Sequence, residues 1–124
     1  MATKIIRINC GDTFELPVYI PNKKEYIVPH RLEKDKEAVY FAIMYPHQRF
    51  EDAIILKGYT TEDQGEDGYI NVKLTANDTR RLQPGVYYYT VKLQRGGTLD
   101  VIDDFDDPEE VRTIIERTKF IVNE

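Results

Sequence analysis

A chain of 124 residues with 41% hydrophobic and 31% charged residues has the size and balance of one soluble domain (residues 1–124), able to build a core without disulfides; its sole cysteine is Cys10. No stretch approaches the roughly 18 consecutive apolar residues of a membrane span, and the opening MATKIIRINCGDTF lacks the apolar core and cleavage site of a signal peptide, so the expected setting is the cytoplasm. The net charge of -5 is uneven, with eight Lys/Arg against six Asp/Glu in the first fifty residues and nine against sixteen afterwards; Lys23-Lys24 and Arg80-Arg81 are too small a basic complement for nucleic acid to be a partner.

From Ile6 to Ile20 the even positions are apolar except Asp12, which reads as two strand segments on one face. Gly11-Asp12-Thr13 supplies a kink that lets the chain pass from one sheet to another. Pro17 cannot donate to a ladder, so the second segment is expected at a sheet edge. Cys10 shares the apolar parity and has no basic neighbour, which marks a core thiol rather than a nucleophile. Residues 21–37 are charged and bracketed by Pro21 and Pro29: a long loop with a short extended piece at Tyr26–Val28.

AVYFAIMY, residues 38–45, is apolar on both parities and is expected to be a central strand, ending at Pro46. A turn at 46–49 leads to an antiparallel strand at 53–59, and 60–68 is a polar loop. Ile70, Val72 and Leu74 alternate, as do Tyr87, Tyr89, Val91 and Leu93, so each set lines one face of a sheet. Between them Thr75 and Asp78 form a capping-box pattern for one helical turn through Arg81, stopped at Pro84-Gly85, where the chain crosses between sheets.

Gly96-Gly97 predicts a hairpin returning through Thr98–Ile102 with Leu99 inward. Beyond it signals conflict: Asp107-Pro108-Glu109-Glu110 is a helix start, whereas Ile114, Ile115, Phe120, Ile121 and Val122 favour a strand. The reading is a helical turn at most within 107–111 and a last strand within 112–122, with 107–118 open between helix and strand. The sum is an all-β, immunoglobulin-like antiparallel β-sandwich of about seven or eight strands with one or two short helical turns.

LQPGVYYYTVKL resembles the Leu-x-Pro-Gly-x-x-Tyr corner of fibronectin type III domains at Leu82, Pro84 and Gly85, with Tyr88 in the tyrosine's place; parity makes Tyr87 the ring expected to be buried and bonded to the backbone beside the helical turn. The chain's order of motifs runs Gly11-Asp12-Thr13 with Phe14–Ile20, Val39–Pro46, Gly-Tyr-Ile-Asn-Val, Leu74–Thr79 and Pro84–Leu93. That order resembles the N-terminal immunoglobulin-like domain of phage baseplate upper proteins. The resemblance implies a structural protein of a phage or prophage tail or baseplate, assembled in the bacterial cytoplasm into the virion. Its partners would be other virion subunits or further copies of itself, with neither nucleic acid nor membrane. Baseplate upper proteins continue into further domains, so the chain would be a stand-alone subunit or an excised domain.

Catalytic, cofactor-binding and metal-binding residues are expected to be none. His30 and His47 each neighbour a proline in a loop with no second histidine at ligand spacing, and both read as surface residues. The acidic run Asp100, Asp103, Asp104, Asp106, Asp107, Glu109 and Glu110 reads as a solvated loop; calcium binding and docking to a basic neighbour are its alternatives. The loop with Glu62, Asp63, Glu66 and Asp67 reads as solvated too. Tyr69 and Tyr88 are candidates for an outer sheet face. The edge strand Phe14–Ile20 and the last strand are the expected contact edges. The alternative function is a glycan- or calcium-binding module of a larger surface assembly.

Overall fold

A computed structural model describes residues 4–25, 27–96 and 110–124. The strands are β1 (Ile6–Asn9), β2 (Phe14–Tyr19), β3 (Glu37–Met44), β4 (Ile55–Tyr59), β5 (Tyr69–Leu74), β6 (Gly85–Arg95) and β7 (Glu110–Asn123), with a short helix, α1 (Ala76–Arg80), between β5 and β6. One-turn 3-10 segments occupy Phe50–Asp52 and Thr61–Asp63. The larger sheet has the order β1-β7-β6-β3-β4 and the smaller pairs β2 with β5. All pairs are antiparallel except β1–β7, where Ile6 lies beside Phe120 and Asn9 beside Asn123, so the larger sheet is mixed.

The architecture is the expected all-β sandwich, and its core follows the alternation. Val18, Ile70, Val72 and Leu74 of the small sheet meet Val39, Phe41, Ile43, Tyr89, Val91 and Phe120 of the large one. β3 lies between β6 and β4 and is buried along its whole length. Its second parity, Ala38, Tyr40, Ala42 and Met44, forms another cluster with Phe50. That is why its sequence is apolar on both faces.

Both crossings between sheets sit where the turn chemistry places them. After β1 the Cys10 amide donates to the Asn123 carbonyl at 2.8 Å, Gly11 adopts φ +87°, and the chain enters the small sheet as β2. After β5 the Thr75 hydroxyl accepts the Asp78 amide while the Asp78 carboxylate accepts the Thr75 amide, a complete capping box that starts α1. The chain then joins the large sheet at Gly85. Leu82 is buried under this turn, and the buried Tyr87 ring sends its hydroxyl to the Gln83 carbonyl at 2.6 Å, the role that parity gave it over Tyr88.

Four expectations need correction or fall elsewhere. Glu110 and Val111 belong to β7 rather than to a helical turn; residues 107–109, the hairpin return at 98–102 and the acidic run as far as Glu109 lie outside the described residues. The extended piece at 26–28 is a turn at Ile27 and Val28, closed by the Val28 amide on the Glu25 carbonyl, and the bridge at the loop's base is Pro21 opposite Pro29 instead. Both prolines lack donors, so Asn22 and His30 supply the amides that pinch the loop shut. Cys10 is exposed: the turn to β2 begins there and carries it off the apolar face, with its sulfur 3.5 Å from the Leu82 carbonyl oxygen. Finally, β7 is not a simple edge, because β1 covers it over Phe120–Asn123.

Candidate functional site

The two long loops, 20–36 and 60–68, meet at one end of the small sheet and are joined by side-chain hydrogen bonds. Gln64 joins them: its side-chain oxygen accepts the Leu32 amide at 3.0 Å, and its nitrogen donates to the carbonyls of His30 at 2.8 Å and Gly68 at 3.2 Å. Arg31 adds bonds to the carbonyls of Gly65 and Glu66. Loop 60–68 is itself shaped by its acids. Asp63 accepts the Thr60 amide at 2.8 Å and caps the 3-10 turn, while Asp67 accepts the Tyr69 amide at 3.1 Å. Two of the four carboxylates expected to be merely solvated therefore define the loop.

The first loop is tied to the large sheet by a charged cluster. Glu37 is only 4% exposed, yet its Oε1 faces His30 Nε2 at 2.9 Å and accepts the Glu33 amide at 2.9 Å, and Arg95 Nη1 lies 3.8 Å from its Oε2. A buried carboxylate needs that company. Arg95 also pairs with Glu33 at 2.9 Å, and its hydrogen bond holds the Glu33 carboxyl below the ordinary value. On the far side Lys23 pairs with Glu110, lowering the Glu110 carboxyl, and Arg112 donates to the Pro21 carbonyl. A space of about 220 Å3 remains among these groups.

His30 is thus half-buried and hydrogen-bonded, where a free surface residue was expected; Pro29 beside it hid a partner seven residues away. The pair has the composition of an acid–base dyad, but Cys10 lies elsewhere, at the end of β1. His47 sits exposed in the turn after β3 with φ +68°. Among the described residues no three His, Cys, Asp or Glu side chains are grouped to hold a metal. The arrangement can pin a loop. Its partners are internal.

The small sheet offers a different kind of site. Pro17 has no N–H, and the Ile20 amide donates toward β5, to the Gly68 carbonyl. Even-numbered amides of β2 therefore face β5, and that of Glu15 faces away. Among the described residues no strand pairs with that side. Immunoglobulin-type sandwiches of the constant kind set a four-stranded sheet on a three-stranded one; here the smaller sheet has two strands among the described residues, and the inward-facing Phe14 and Leu16 of its edge are only partly buried. The outer face carries Tyr69, 42% exposed and packed at 5.2 Å against the Tyr19 ring; Tyr88 is half-buried. Tyr45, which sequence reasoning did not single out, is 53% exposed beside Tyr87.

No helix among the described residues is long and apolar enough to cross a membrane. No family model, curated protein or solved structure matches this chain.

Proposed function

We propose that this chain is a non-enzymatic structural subunit of a phage or prophage particle, in its tail or baseplate, which works by docking to neighbouring virion subunits, copies of itself among them. The phage setting rests on the sequence resemblance set out above. The docking mode rests on one observation: among the described residues the smaller sheet ends at β2, an edge with outward backbone groups at Glu15 and with Phe14 and Leu16 partly uncovered beneath it. An extended segment of a neighbour laid along β2 would bond those groups and cover those side chains. Pro17 limits how many bonds form and keeps the edge from pairing indiscriminately.

Light scattering across a concentration range tests the reading, with Glu15→Pro as the informative variant, because the amide it removes faces away from β5. A defined oligomer that Glu15→Pro dissolves while melting is unchanged is the expected result. A strict monomer at every concentration, together with absence of the chain from purified particles of the strain that encodes it, would overturn the proposal.

A further inference from the structure

The outer face of the small sheet holds a groove that strand docking leaves unused. Its floor is the Tyr69 ring and, farther along, Asn71 with Pro17 directly opposite it. Loop 60–68 rises along one side with Asp63, Gly65 and Asp67, bordering a shallow, open space of about 460 Å3. That lies within the several hundred Å3 common for small-molecule sites.

The groove's hydrogen-bonding groups are held in place with capacity to spare. Asp63 spends Oδ2 on the Thr60 amide and Asp67 spends Oδ1 on the Tyr69 amide, so each keeps one oxygen for a ligand. The Asn71 side-chain nitrogen donates to Glu15 at 3.3 Å and keeps a second N–H as well as its carbonyl oxygen. Gln64 and Arg31 fasten the loop that carries the two acids, which reduces the ordering cost of binding.

We propose that this groove binds a neutral saccharide. The exposed ring of Tyr69 and the edge of Pro17 offer an apolar platform for the C–H face of a pyranose, and Asp63, Asp67 and Asn71 offer acceptors and a donor to its hydroxyls. Other ligand classes fit less well. Calcium takes about six to eight oxygens, whereas the two acids have one apiece left after capping the loop backbone. An anion meets two carboxylates. An amine would satisfy the acids and leave the Asn71 N–H without an acceptor. The inference is independent of the docking proposal, since it uses side chains of the outer face and not the backbone edge of β2.

The test is amide-resolved NMR titration of the full chain with maltotetraose, cellotetraose and tetra-N-acetylchitotetraose, and separately with lysine amide and calcium chloride. Saturable shifts at Gly65, Asp67, Tyr69 and Asn71 with at least one of the sugars are expected. Tyr69→Ala should weaken that binding by about tenfold or more, Tyr69→Phe should preserve it by keeping the ring, and Asn71→Ala should weaken it. Should Tyr69→Ala impair folding, the Asn71→Ala and Tyr69→Phe pair carries the test. The proposal is overturned if none of the three sugars shifts these amides at millimolar concentration, if shifts map elsewhere, if both Tyr69→Ala and Asn71→Ala bind normally, or if only lysine amide or calcium acts there.

Discussion

The Tyr87 hydroxyl donates to the Gln83 carbonyl at 2.6 Å, bridging the turn by which the chain leaves the small sheet and enters the large one. Its ring is buried, while Gln83 is exposed and can offer its carbonyl to water instead. Tyr87→Phe should therefore cost about 1 kcal/mol, the net worth of one hydrogen bond. Tyr87→Ala, which also empties a core position, should cost about 3–5 kcal/mol. Urea unfolding measures both. Equal losses for the two variants would show that the hydroxyl, and not the ring, holds the corner.

Burial raises the phenol pKa of Tyr59, Tyr87 and Tyr89 above the ordinary 10.0, and the hydrogen bonds these phenols make only partly offset it. A raised value in the folded state means that the unfolded chain releases these protons first as pH climbs. Their contribution to stability is therefore complete below pH 10.0 and declines as pH rises through the folded values. Unfolding free energies measured from neutral to strongly alkaline pH should stay level with respect to these groups and then fall. Tyr87→Phe should make that fall shallower; an unchanged slope would contradict the assignment.

β2, β5 and β6 were legible because their apolar residues keep a period of two, and β3 because it is apolar on both parities. β7 was legible as a last strand within 112–122, but its alternation was not. Its pairing with β6 slips twice, between Tyr89, Val91 and Lys92, so its buried residues are Ile115, Thr118, Phe120 and Val122. The gap of three between Ile115 and Thr118 breaks the strand period, and together with Val122 it imitates the i, i+3, i+7 of a helix. Cys10 failed for a related reason, since parity was carried one residue past the point where β1 ends at Asn9. The loop chemistry was invisible because Gln64 acts on residues more than thirty positions away, at Leu32 and His30.

Asp78 closes the capping box and also pairs with Lys57 of β4 at 2.8 Å, joining the crossover turn to an edge of the large sheet. Burial works against its charge, but bonds from Lys57 and Thr75 outweigh it, so the carboxyl sits below its ordinary 3.8. With a depressed folded value, this contribution is present above pH 3.8 and is lost as pH falls through the folded pKa. Asp78→Ala should destabilise by about 1 kcal/mol at neutral pH, in the range of lost caps. The difference from wild type should shrink in acid. A difference that held constant into strong acid would remove the carboxylate from the explanation.

Gln64 satisfies three backbone groups on two loops, so truncation leaves partly buried polar atoms without partners. Gln64→Ala should cost about 2 kcal/mol. Hydrogen exchange gives the sharper readout: the Leu32 amide should lose protection well beyond the global loss of stability, whereas the Val91 amide in the core should follow the global change alone. Matching losses at both positions would mean that the loops are not held by this side chain.

The same junction contains a backbone contact with no room for a side chain. Gly68 adopts φ +87°, and a Cβ placed there would lie 2.2 Å from the Pro29 Cβ, far inside contact distance. Gly68→Ala therefore combines left-handed strain with a collision between the two loops, and a loss of about 2–3 kcal/mol is expected. The two contributions separate in a double mutant. Pro29→Gly removes the opposing atoms and leaves the strain, so Gly68→Ala should cost less in that background, by about 1 kcal/mol or more of coupling. Strict additivity of the two substitutions would show that the loops do not touch at Gly68, and with it the anchored loop wall beside Tyr69 would lose one of its supports.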